Sequence, residues 1–72
     1  MKCRIEIFYT DQSDRFEIIN FAQAIHTSFT DHNNTITIEI ECNNDATKIA
    51  TANRAVKFAE AYRFHSIQFI KS

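Results

Sequence analysis

The sequence contains no glycine and no proline among its 72 residues. Without glycine it cannot form the glycine-rich loops that hold phosphate groups in P-loop and dinucleotide-binding proteins, nor the glycine-flanked serine elbow of the α/β-hydrolases. Turns must instead use Asn, Asp and Ser, which tolerate left-handed backbone angles and hydrogen-bond to their own main chain. Such residues cluster at 10–14, 31–34 and 43–45, and these clusters divide the chain into four segments.

The sequence also lacks a long apolar run and an amino-terminal signal. No apolar stretch approaches the roughly 20 residues that a membrane span requires, and residues 1–4 do not lead into the apolar core of a secretory signal peptide. The two cysteines and three histidines show no metal-ligand spacing. We therefore expect a cytoplasmic protein with reduced thiols, no membrane association, no metal and no other cofactor.

Apolar residues make up 44% of the chain, and they include eleven Ile and seven Phe. This content is sufficient for a folded core. We expect one domain comprising residues 1–72, in which roughly 60% of the surface of the unfolded chain becomes buried. So thin a core leaves little room for an enclosed pocket, and this argues against an enzyme.

Alternation of apolar and polar residues predicts three strands, at 2–9, 35–42 and 66–71. Residues 45–63 are predicted to form a helix with Asp45 as its N-cap. Both cysteines fall on inward strand positions, where a thiol is usually a small buried hydrophobe. The strand residues predicted to point into the core are Cys3, Ile5, Ile7, Tyr9, Ile36, Ile38, Ile40, Cys42, Ile67 and Phe69.

Residues 15–30 allow two interpretations. In the first they form a single helix with Asp14 as its N-cap. In the second, residues 15–19 return along the first strand as a hairpin, and a shorter helix follows. We favour the hairpin because Ile18 and Ile19 are β-branched and suit a strand.

These elements predict a small two-layer, open-faced sandwich of the α+β or α/β class. Two helices cover one face of a three- or four-stranded sheet, because the strands are apolar on one side only. The element order would be ββαβαβ with the hairpin and βαβαβ without it.

Such a fold leaves one face of the sheet exposed. Strand alternation places the apolar residues Phe8 and Ile70 there, among the acids Glu6, Glu39 and Glu41. Exposed apolar residues amid polar ones are typical of interfaces, whereas carboxylates on a solvated sheet lack the burial that prepares a carboxyl group for acid–base catalysis. We predict these five as protein-binding residues and predict no catalytic residue.

Charge is divided unequally along the chain. Residues 1–45 carry eight acids and three bases, whereas residues 46–72 carry five bases and one acid. The bases on the predicted final helix and at its flanks, Lys48, Arg54, Lys57 and Arg63, form a candidate nucleic-acid-binding set. Affinity for phosphate grows with the number of bases engaged, so binding by this set would be weak. A merely solvated helix face is the simpler interpretation.

The sequence favours a small non-enzymatic module that binds a protein. We expect a phage- or immunity-type accessory protein that inhibits a larger partner. Self-association into a homodimer through an edge strand, such as residues 2–9, would help to stabilise so small a core. The alternative function is weak nucleic-acid binding by the basic C-terminal helix.

Overall fold

The computed structural model of the protein describes residues 1–71. Its elements are β1 (Lys2–Phe8), α1 (Gln12–Ala24), β2 (Phe29–His32), β3 (Thr35–Glu41), α2 (Ala46–Glu60) and β4 (His65–Ile70). The predicted class, a small fold with two helices and one sheet, is confirmed. The element order βαββαβ differs from both predicted orders, because β2 was not predicted.

The four strands form one antiparallel sheet in the order β2-β3-β1-β4. β1 and β2 run in the same direction with β3 between them, which is the split-βαβ, or ferredoxin-like, topology. Many unrelated functions share this plan, so it does not specify one. Since β1 is central, the prediction that residues 2–9 form an edge was wrong, and the edges are β2 and β4.

The core lies between the two helices and one face of the sheet. The inward side chains of β1 and β3 are buried, as their alternation predicted. Ile18 and Ala22 join them from α1, and three alanines join them from α2. The buried set is Cys3, Ile5, Ile7, Ile18, Ala22, Ile36, Ile38, Ile40, Cys42, Ala52, Ala55 and Ala59.

Helix α1 occupies the segment for which the sequence allowed two interpretations, and the favoured hairpin was wrong. Its N-cap is Asp11, whose carboxylate accepts a hydrogen bond from the N–H of Asp14 at 2.8 Å. Ile18 and Ala22, one helical turn apart, are buried together. Packing of this face against the sheet outweighs the strand preference of one β-branched pair. Phe16, which a hairpin would bury, is 57% exposed.

Strand β2 has only four residues, and Phe29 alone among them is partly buried. So short a strand shows no readable alternation. A two-residue turn, Asn33-Asn34, connects it to β3, with φ of 52° and 60°. Positive φ at both positions is the requirement of a type I′ hairpin turn. The predicted turn at 31–34 is thus confirmed at Asn33 and Asn34, and this pair was the signal for the missing strand.

Helix α2 begins after its predicted N-cap. The carboxylate of Asp45 accepts hydrogen bonds from two N–H groups of the first turn, at 2.9 and 3.3 Å. The helix ends at Glu60, three residues before its predicted end. It contacts α1 through Phe21 and Phe58, whose rings stack with centroids 4.0 Å apart. Across residues 1–71, neither helix combines the length and apolar character needed to cross a membrane.

Strand β4 is covered by α2 only in part. The register places Ile67 opposite Ile5 and Phe69 opposite Cys3, both on the helix side of the sheet. Ile67 is half-buried and packs against the core, whereas Phe69 is 60% exposed. The prediction that Phe69 points into the core was therefore right about its side of the sheet and wrong about its burial.

Candidate protein-binding face

The face of the sheet opposite the helices, here called the open face, carries the side chains that alternate with the buried set. All five predicted protein-binding residues lie on this face, by the register of β1 with β3 and β4. The open face comprises Lys2, Arg4, Glu6, Phe8, Thr30, His32, Thr35, Thr37, Glu39, Glu41, Phe64, Ser66, Gln68 and Ile70.

One end of the open face carries paired charges. The Nε of Arg4 donates a hydrogen bond to Oε2 of Glu39 at 2.8 Å, and the Nζ of Lys2 lies 3.8 Å from Glu39 and 3.6 Å from Glu41. The hydrogen bond from Arg4, aided by the charge of Lys2, holds the pKa of the Glu39 carboxyl below its usual value. This end is therefore of mixed charge rather than largely acidic, and Glu39 stays ionised, which does not suit a general acid.

The other end of the open face is aromatic. Phe8 is 45% exposed and Phe64 is 55% exposed. The N–H of Phe8 donates to the carbonyl of Phe64 at 3.0 Å, so the two residues lie opposite each other. The guanidinium of Arg63 lies 5.3 Å from the centre of the Phe64 ring, within the range of a cation–π contact.

Phe64 was not among the predicted site residues. It lies in the connection between α2 and β4, where the sequence shows no strand pattern by itself. The available signal was its spacing from Ile70, since residues an even number apart on an extended chain share one side. Together, Phe8 and Phe64 form the largest exposed apolar feature of the open face.

Beside the charged end, towards β2, the open face has an open depression of about 360 Å³. Its lining includes Arg4, Glu6, Thr30, Thr37 and Glu39. Small-molecule sites of this size are mostly enclosed and apolar, whereas this one is open and, apart from Phe29, lined by residues with charged or hydroxyl groups. Its shape and polarity suit the side chains of a protein surface better than a buried cofactor.

A second cluster of polar side chains, which the sequence did not reveal, connects α1, β2 and the end of β1. The Tyr9 hydroxyl donates to Oδ1 of Asp31 at 2.8 Å, and the Nε of Arg15 donates to Oδ2 at 2.7 Å. These two hydrogen bonds lower the pKa of the Asp31 carboxyl, that from Tyr9 having the larger effect. The same bond raises the pKa of Tyr9. The arrangement fastens the amino-terminal turn of α1 to an edge strand.

The two cysteines are buried and free. Cys3 and Cys42 lie on β1 and directly after β3, which are adjacent and antiparallel, the arrangement in which the two could approach. Burial, with a smaller contribution from Cys42, raises the pKa of the Cys3 thiol. A raised pKa leaves little reactive thiolate, and the prediction that these residues act as small hydrophobes agrees with their place in the core.

The four predicted nucleic-acid-binding residues are exposed, but they do not form one patch. Arg54 and Lys57 are three residues apart and adjacent on the surface of α2. Lys48 lies in the first turn of that helix, beside Glu41 in a separate depression. Arg63 lies beyond the end of α2 and contacts Phe64. Only Arg54 and Lys57 remain together as a candidate contact for phosphate.

The chain matches no protein-family model, no curated protein and no solved structure. In the described part of the chain, no group of three or more His, Cys, Asp or Glu residues is placed to hold a metal ion.

Proposed function

We propose that the protein is a non-enzymatic protein-binding module whose open face contacts a larger partner. The observation that carries the proposal is the position of Phe8 and Phe64, side by side and about half exposed on a face that neither helix covers. Exposed aromatic residues within a polar surround are typical of interface centres, because they bury a large area at a small cost in side-chain entropy.

The charged end of the open face supplies the complementary part of the proposal. Arg4 and Lys2 both pair with Glu39, at 2.8 and 3.8 Å, and these pairs restrict the charged side chains that a partner would meet. Charged groups of this kind select a partner and orient it more than they add affinity. The aromatic end would then supply most of the binding energy, and the charged end the specificity.

The biological role we propose is that of a phage- or immunity-type accessory protein, which inhibits its partner by occupying a surface. Inhibition of this kind requires no cofactor and no catalytic group. The compartment we propose is the cytoplasm, where the buried thiols of Cys3 and Cys42 would stay reduced.

The substitution Phe8→Asp tests the open face directly. A charge at the aromatic end of the open face should weaken partner binding by about 30-fold or more, the effect of losing a contact worth about 2 kcal/mol. The matched control is Phe16→Asp, because Phe16 is similarly exposed but lies on α1. The measurement is affinity capture from the native host, followed by titration of the captured protein. Equal binding by both variants would exclude the open face as the site.

The second candidate function is weak nucleic-acid binding. Arg54 and Lys57 favour it, because both are exposed and the ion pairs within residues 1–71 involve only other bases. Binding would fall steeply with salt, since each phosphate contact releases counterions. Retention on heparin at low salt that Arg54→Glu abolishes would support this function, and absence of retention by the unaltered protein would eliminate it.

A further inference from the structure

Strand β4 presents a free edge to solvent. It is the last strand of the sheet, with β1 on one side and no strand on the other within residues 1–71. An uncovered edge of this kind offers a row of unpaired N–H and C=O groups to another chain, unless charge, proline or a bulge prevents pairing. β4, with the sequence His-Ser-Ile-Gln-Phe-Ile, contains no proline and no acid.

The hydrogen bonds to β1 show which backbone groups of β4 remain available. Phe8 donates to the carbonyl of Phe64, and directly opposite residues of an antiparallel pair alternate between bonded and non-bonded. The even-numbered residues of β4 therefore bond to β1. The N–H and C=O groups of His65, Ile67 and Phe69 point away from the sheet, towards the free edge.

The helix side of this edge is apolar. Ile67 is half-buried and Phe69 is 60% exposed. Ile49, which is 41% exposed, lies nine residues before Phe58, and this spacing places the two on opposite flanks of α2. Since Phe58 stacks on α1, Ile49 lies on the flank that faces away from α1. Apolar side chains thus border the free edge from both layers.

The other edge of the sheet is protected. β2 has four residues against the six of β4, and it carries the acid Asp31, which is held by Arg15 and Tyr9. A short, charged edge strand is a common means of preventing edge-to-edge contact. The difference between β2 and β4 indicates that only β4 is suited to pairing.

We propose that β4 pairs with β4 of a second copy of this chain, in an antiparallel arrangement about a two-fold axis at Gln68. The two sheets then form one continuous sheet of eight strands, and the contact is isologous. In this register Ile67 of each copy lies opposite Phe69 of the other copy. The outward N–H and C=O groups of these two residues then hydrogen-bond across the contact. Gln68 lies opposite Gln68 of the second copy on the open face.

The sequence of β4 favours a second copy over an unrelated strand. With the axis at Gln68, each apolar residue of the helix side meets an apolar residue, and the polar Gln68 meets its own equivalent. No acid or permanently charged base within β4 opposes its like, which would be unfavourable across a strand pair. Each copy also covers the exposed Phe69 of the other. This inference does not depend on the proposed partner of the open face.

Light scattering over a dilution series tests the dimer. The protein should have twice its chain mass of 8.4 kDa, and Phe69→Lys should reduce this to the mass of one chain with the far-UV spectrum unchanged. The matched control is Phe16→Lys, at 57% exposure on α1, which should remain dimeric. A monomeric unaltered protein, or a dimer that Phe69→Lys leaves intact, would overturn the proposal.

Disulfide trapping tests the register. Gln68→Cys should form a cross-linked dimer on mild oxidation with oxidised glutathione, because non-bonded pairs across antiparallel strands bring their Cβ atoms within about 4.5–5.5 Å. The native Cys3 and Cys42 do not interfere, since both are buried. Ser66→Cys alone should not cross-link. Cross-linking only in a mixture of Ser66→Cys and Gln68→Cys chains would place the axis at Ile67 and overturn the proposed register.

Discussion

Asp31 shows how a single side chain can join three elements of so small a protein. Its carboxylate, on β2, accepts hydrogen bonds from Tyr9 after β1 and from Arg15 on α1. These partners are 22 and 16 residues away in the sequence. The group therefore stabilises the position of a short edge strand that has little apolar contact of its own.

The lowered pKa of Asp31 predicts how this group responds to pH. The folded-state pKa is below the unfolded value of about 3.9, so the ionised carboxylate stabilises the fold above that value, and the stabilisation is lost as pH falls through the folded pKa. Asp31→Asn should therefore reduce the urea midpoint at neutral pH and make no difference in strong acid.

Tyr9→Phe provides the comparison for Asp31→Asn. It removes the larger cause of the lowered pKa and keeps the carboxylate and Arg15. We expect Tyr9→Phe to lower the urea midpoint at neutral pH by less than Asp31→Asn does. The stabilisation by the Asp31 carboxylate should also be lost at a higher pH than in the unaltered protein. Urea titrations from neutral pH to strong acid measure both effects. A difference between Asp31→Asn and the unaltered protein that persists unchanged in strong acid would contradict this account.

The site residues differ in how far the sequence alone could reveal them. Phe8, Glu6 and Glu39 lie on the open face as alternation placed them, because a period of two fixes the side of every residue in a strand. Asp31 could not be found in this way, and Phe64 only by extending the alternation of β4 backwards from Ile70. Phe64 precedes its strand, and the partners of Asp31 depend on where α1 packs, which no local pattern specifies.

Among the elements, the longer strands and α2 were the most predictable. β1 and β3 alternate over seven residues each, and α2 has both a capping aspartate and a buried stripe of alanines. The segment 15–32 was not predictable in the same way. Its helix and its short strand are selected by packing against a sheet formed from distant residues, which outweighs local preference.

The turn between β2 and β3 supports a prediction about its asparagines. Asn34 has φ of 60°, a conformation that costs most L-residues about 1–2 kcal/mol. Asn34→Ala should therefore lower the free energy of unfolding by about 1 kcal/mol. The control is Asn53→Ala, since Asn53 is exposed within α2. This substitution should raise the free energy of unfolding by up to about 0.7 kcal/mol, because alanine is the best helix former. Urea denaturation measures both changes in unfolding free energy, and changes of the same sign would contradict the assigned turn.

Over the whole molecule the two helices differ in charge: α1 holds two acids and one base, whereas α2 holds three bases and one acid. Within residues 1–71 the ion pairs join residues of the first 45 positions to one another: Lys2 and Arg4 to acids of β3, and Arg15 to Asp31. The bases of α2 are not used in these pairs. The unequal charge of the two parts of the sequence therefore persists in the fold as a difference between the helices, of which α2 is the more basic.

If a protein partner binds the open face, as we propose, an NMR footprint of the complex will show the contact residue by residue. Labelled chain would be titrated with the captured partner, and changes in backbone amide shifts would be mapped onto the fold. We predict the largest changes at Phe8, Phe64 and Thr35, with little change along the exposed side of α2. Changes confined to α1, or to α2 around Arg54 and Lys57, would contradict the account.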